Sequence, residues 1–166
     1  MNASLLSLVR SHIAARPDRF DAAQWAWANN VQEVVQEGAS PDAFRCCIAG
    51  HVLLLSGAYT ERTLLADSLI YDAGYLGRKA ATLLALTLDQ HRELFYPSQW
   101  GEPFRRDYYL AQAPSQEAAV AVAYLKHFLD RHAPSLLEAT DRAADRAPLP
   151  LPVHLRVEAD APRTRA

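Results

Sequence analysis

Cys46, Cys47 and His51 stand within seven residues of one another in "RCCIAGHVLLLSG", residues 45 to 57. Two thiols and an imidazole could ligate a soft metal or form a thiolate–imidazole nucleophile. Adjacent cysteines have Cα atoms ~3.8 Å apart, below the usual disulfide range of about 4.4 to 6.8 Å, and on a helix their side chains diverge by about 100°. They neither bond to each other nor share one ion easily. Cys47 and His51, four apart, would lie on one helical face and supply two ligands. Two more would have to come from His12, His91, His127 or His132, and no CxxC, HxxxH, HExxH or ExxH pairs any of them. The surroundings are the most apolar in the chain, and an apolar setting raises a thiol pKa. The residues therefore point to small buried thiols beside Ala49 and Gly50, with His51 as a buried imidazole. No catalytic, cofactor or metal residue is assigned. A helical enzyme or metal protein using Cys47 and His51 stays as one alternative class.

A second chemistry is recognition. Phe20, Trp25, Trp27, Phe95, Tyr96, Trp100, Phe104, Tyr108 and Tyr109 crowd two stretches, the second of which also carries Arg105 and Arg106. Aromatics with arginine are the usual anchors of interfaces, so Trp25, Trp27, Tyr96, Trp100, Arg105, Arg106 and Tyr108 form the candidate interaction surface, against a plainer role in a satellite core. "GRKAATLLALTLDQHRELF" has the helix-turn-helix outline, with a turn at Thr87 and Gln90, His91 and Arg92 available to bases. Asp89 and Glu93 on the same short helix would face phosphates. The chain's net charge of −2 supplies no general basic field either, so nucleic acid is an unfavoured partner.

Elements must hold these residues in place. Leu5, Leu8, Val9, His12 and Ile13 recur at helical spacing behind Asn2 or Ser4, and Pro17 ends that helix. Asp21 can cap a short helical turn around Trp25, and "NNVQEVVQEG" reads as a helix stopped by Gly38. Ser40 or Asp42 is expected to start the helix containing Cys46 to Leu55, apolar all round and so central, with Gly57 as its left-handed terminator. Two helices after Thr60, divided near Gly74 and Gly77, precede the Thr87 helix. "YPSQWGEPFRRDYYLAQAP" reads as a packed loop. Ser115 is expected to cap a long helix with Ala118, Val122, Leu125 and Leu129 on one face, and "SLLEATDRAADRA" could form one more.

The 166 residues, half of them apolar, suffice for one real core, and abundant Ala and Leu with scarce Gly favour helix. The expected fold is all-α, a single orthogonal bundle of about six or seven helices over residues 1–146. In 147–166 the prolines exclude helix while Val153, Leu155 and Val157 alternate, as in a loose tail or an extended arm. No apolar run spans a membrane and no signal-peptide core precedes Arg10, so no membrane association and a cytoplasmic location are expected.

The order "RPDRFDAAQW", "CCIAG", "LLALT", "ELFYPSQW" and "YLKHFL" resembles a set of small uncharacterised bacterial and phage proteins with a Phe-Asp…Trp, Cys-Ile-Ala-Gly, Leu-Phe…Trp pattern. The resemblance covers roughly residues 10 to 130. It implies that Phe20, Asp21, Trp25, Cys47, Ile48, Gly50, Phe95 and Trp100 pack as one unit, and it implies no activity or cofactor. Here the link "AWANNVQEVVQEGASPDAFR" between tryptophan and cysteines is longer than in that pattern. The sequence thus points to a non-enzymatic protein-interaction or regulatory module, its partner a protein or a second copy of itself; the competing class is a DNA-binding regulator.

Overall fold

The computed structural model describes residues 1–71 and 73–133. The last expected helix, the boundary at residue 146 and the segment 147–166 lie outside the described residues. Within them the chain is all-α: α1 (Ala3–Ala15), α2 (Val31–Glu37), α3 (Ile48–Leu55), α4 (Glu61–Ile70), α5 (Ala73–Leu84), α6 (Leu88–Phe95), α7 (Phe104–Leu110) and α8 (Pro114–His132), with 3-10 turns at Pro17–Arg19 and Pro97–Gln99. Among the described residues there are eight helices, against about six or seven expected over residues 1–146. The additional one is α7, where a packed loop was expected.

Local chemistry sets most of the boundaries. The Asn2 side chain accepts the Leu5 amide to cap α1, and Gly38 at φ +76 ends α2. Thr60 and Thr87 each form a reciprocal capping box, with Thr63 and Gln90 respectively. Gly57 at φ +77 follows the last residues of α3 as expected. Two expectations shift. Ser115 caps nothing, because α8 begins one residue earlier with Pro114 at a position where its missing N–H costs no hydrogen bond. Gly74 and Gly77 lie inside α5 rather than between helices.

The larger correction concerns the start of the central helix. Residues 44 to 47 are not helical: Trp27 and Arg45 exchange both backbone hydrogen bonds at 2.9 Å, the Cys46 amide donates to the Arg19 carbonyl, and the Cys47 amide to that of Gln24. Those amides are therefore unavailable to a helix, and Cys47 stands before α3 in extended conformation. Ser40 and Asp42 cap no helix; the Asp42 amide donates to the Asn30 side chain and its carbonyl accepts the Asn29 amide. Nor does Asp21 cap a helix around Trp25. Its carboxylate accepts the Ala23 amide at 2.9 Å in an Asx turn, and its own amide donates to the Cys46 carbonyl.

α3 is central, packed by α1, α4 and α5, and Ile48 through Leu53 are all buried. α1 and α8 close the other side, with Leu6, Val9 and Ile13 meeting a face built from Ala118, Ala121, Leu125 and Phe128. Leu8, expected on the buried stripe of α1, is exposed. Phe20, Cys47, Ile48, Phe95 and Trp100 belong to one buried cluster, and Trp25 packs against it.

Gly50 sits where α3 passes closest to the extended segment. A Cβ there would come within 2.6 Å of the Trp25 carbonyl oxygen and of the Cys46 Cβ. Gly50→Leu is expected to destabilise by about 1 to 3 kcal/mol or more, since backbone must yield. Thermal unfolding checks it, and even Gly50→Ala should lower the midpoint.

Candidate functional site

His51 projects from the middle of α3 into the space between α1 and the Arg19–Phe20 segment. Its ring lies 5.3 Å from that of His12 and 6.3 Å from that of Phe20, nearly parallel to the latter. Beside it is a cavity of about 170 Å³ lined by His12, Arg19, Phe44, His51, Leu54, Leu55 and Glu61. An ion pair joins Arg19 to Glu61 at one wall, and the Arg19 guanidinium also stands over the Phe44 ring. The same three residues border a more polar outer concavity that Arg16, Asp18 and Arg45 help to line.

The chamber is electrically quiet. Arg19 and Glu61 offset one another. His51 is only 1% exposed, and burial first, then His12 and Arg19, hold its pKa down at about 3. Desolvation likewise lowers His12, with Arg19 and Arg16 adding to the effect. Both imidazoles are neutral at neutral pH. Neither nitrogen of His51 makes a hydrogen bond within normal geometry, although the Arg19 backbone carbonyl lies close enough to favour a proton on the ring.

The thiols do not join this site as a metal or nucleophile pair. Burial pushes Cys47 up to about 11 against the helix-start amides of Gly50 and Ala49, and raises Cys46 well above its usual value, assisted by Cys47. Both are free and buried. Among the described residues no three His, Cys, Asp or Glu side chains converge as a metal would require.

The candidate interaction residues do not form one patch. Trp25 and Tyr96 gather around His91: a Cβ on Gly77 would lie 3.0 Å from both the Trp25 ring and His91 Nε2, and the Tyr96 and His91 rings are 5.9 Å apart. Trp100 is core, 1% exposed, stacked on Tyr124 at 4.4 Å, with its indole N–H donating to the Leu94 carbonyl. It is closed to any partner. Trp27, 39% exposed, lies under the Arg45 guanidinium. Tyr108 packs edge-on against Trp100, and burial followed by Glu117 and Asp21 raises it to about 12. Burial and Asp21 also raise Glu117, while Arg45 lowers it. Asp21, Arg45, Tyr108 and Glu117 therefore share one neighbourhood. Arg105 and Arg106 are exposed on α7 and matched by Glu102 and Asp107.

The Thr87 turn has the expected outline, but two of its three base-reading candidates are turned inward. The Gln90 side chain closes the capping box and meets His132 Nδ1, and His91 Nε2 is buried against Gly77. Arg92 is the one of the three left exposed.

Arg19, Phe44, Arg45 and Glu61 were not singled out as site residues by sequence. Of the chamber's lining, His51 and His12 carried a signal, the latter as a polar residue on the apolar stripe of α1. Compared with family models, curated proteins and solved structures, the chain matches none.

Two outcomes follow from this geometry. Cys46 and Cys47 are expected to resist a small thiol reagent in the native protein and react fully after denaturation. His51 favours its neutral form in the fold, so its contribution to stability is fully present above pH 6.5 and is lost as pH falls toward about 3. Thermal midpoints across that window should decline with acid, and His51→Gln should flatten the decline.

Proposed function

We propose that this chain is a non-enzymatic interaction module of the cytoplasm, an orthogonal bundle whose partner is a protein or a second copy of itself. Its docking face is centred on Trp27 and Arg45 and continues over Tyr108 to Tyr109 and Leu110 of α7. The observation that carries the reading is the partly exposed Trp27 stacked by Arg45. This pairing supplies large apolar area together with a guanidinium held over the indole ring. Tyr109, edge-on to Tyr108, and Leu110 add exposed apolar surface, 64% and 67% accessible. The neutral, buried thiols and the inward-turned Gln90 and His91 give less support to the metal or thiol enzyme and to the DNA-binding regulator.

Trp27→Ala and Tyr109→Ala should leave the unfolding midpoint within a degree or two of wild type while weakening capture of a host partner, or self-association in sedimentation, by about tenfold or more. Equal capture and equal association by wild type and both variants would remove this face from the interaction.

A further inference from the structure

The chamber beside His51 is unlike the rest of the core in joining a buried, unbonded polar ring to a cavity of useful size. Its volume of about 170 Å³ is comparable with the ~150 Å³ apolar cavity that accommodates a benzene molecule. Phe44, Leu54 and Leu55 provide apolar wall, and His12, Leu54 and Leu55 are each partly exposed, so the chamber reaches solvent past them.

Charge and hydrogen bonding then narrow what fits. An ion would have to shed its hydration beside an Arg19–Glu61 pair that already satisfies itself and two imidazoles that are uncharged, so no free counter-charge repays the desolvation. A neutral imidazole has one N–H and one lone-pair nitrogen. Neither nitrogen of His51 has a partner, so whichever carries the proton, the other is a buried acceptor without a donor, and leaving such a group unpaired in the interior costs roughly 1 to 3 kcal/mol.

We propose that the His51 chamber binds a small uncharged ligand the size of a single six-membered ring, carrying one hydroxyl or N–H that donates to the free nitrogen of His51. This site is independent of the Trp27 face, although Arg45 borders the adjoining outer concavity and stacks on Trp27, so the two lie on continuous structure.

The test uses the full chain, isotope-labelled, titrated separately with phenol, toluene and benzoate and followed by amide resonances of α1 and α3. Phenol and toluene have similar shape but only phenol donates a hydrogen bond, and benzoate adds a charge. Phenol is expected to bind roughly fivefold or more tighter than either, with shifts centred on residues 48 to 55 and His12. His51→Phe should erase the preference for phenol over toluene. Should that variant unfold, Leu54→Trp at the partly exposed wall provides the second arm: its ligand-free melting should match wild type while phenol binding is lost. Toluene or benzoate binding as well as phenol, phenol binding unaffected by Leu54→Trp, or no probe shifting these resonances would overturn the proposal, the last result leaving His51 to water alone.

Discussion

The fold depends on a short stretch of backbone pairing that an all-helical sequence does not advertise. Arg45, Cys46 and Cys47 give their amides to Trp27, Arg19 and Gln24, so the chain runs extended up to Cys47 and turns into helix only at Ile48. That junction brings the Trp25 carbonyl against Gly50 and the Cys46 side chain beneath it, and the absence of a side chain at Gly50 is the condition for the approach. Packing of α3 against α1, α4 and α5 follows from where this clamp points it.

The same clamp assembles the polar interior. Arg19 donates its guanidinium to Glu61 at the start of α4, spreads it over Phe44 and offers its carbonyl to Cys46, so one residue ties the turn after α1 to α3's lead-in and to α4. His51 is thereby sealed between Phe20 and His12. Burial of that kind disfavours the charged forms of the two thiols and the two imidazoles, which is why the thiols rise and the imidazoles fall. Such a centre suits recognition of shape and of uncharged hydrogen-bonding groups better than proton transfer near neutrality.

Sequence reasoning located elements wherever short-range chemistry decides them. Asn2, Gly38, Gly57 and Thr87 act within four residues of themselves, and their roles were legible; the capping role of Thr60 was not assigned, although its position before two helices was. It failed at residues 42 to 47, where apolar content suggested continuous helix but backbone partners some twenty residues away in sequence claim the amides. Trp100 was misplaced for a related reason: its type signals interface or core equally, and only the stack on Tyr124 decides. Arg19 and Glu61 lie 42 apart in sequence, and nothing local in either identifies the other. His12 and His51 each looked like a core histidine, yet their meeting depends on α1 crossing α3.

The exchange of hydrogen bonds between Trp27 and Arg45 also has a thermodynamic meaning for the chain that it encloses. Once both ends are held, the free energy of closing the segment grows only logarithmically with its length, about 0.6 kcal/mol per doubling. Here the enclosed residues repay that entropy by folding α2, whose Val34 is buried and whose far end meets Arg62 of α4 through the Val35 carbonyl. The clamp thereby uncouples spacer length from the architecture beneath it. Length added between Trp27 and Arg45 is taken up at the perimeter, and the register of α3 is unaffected by it.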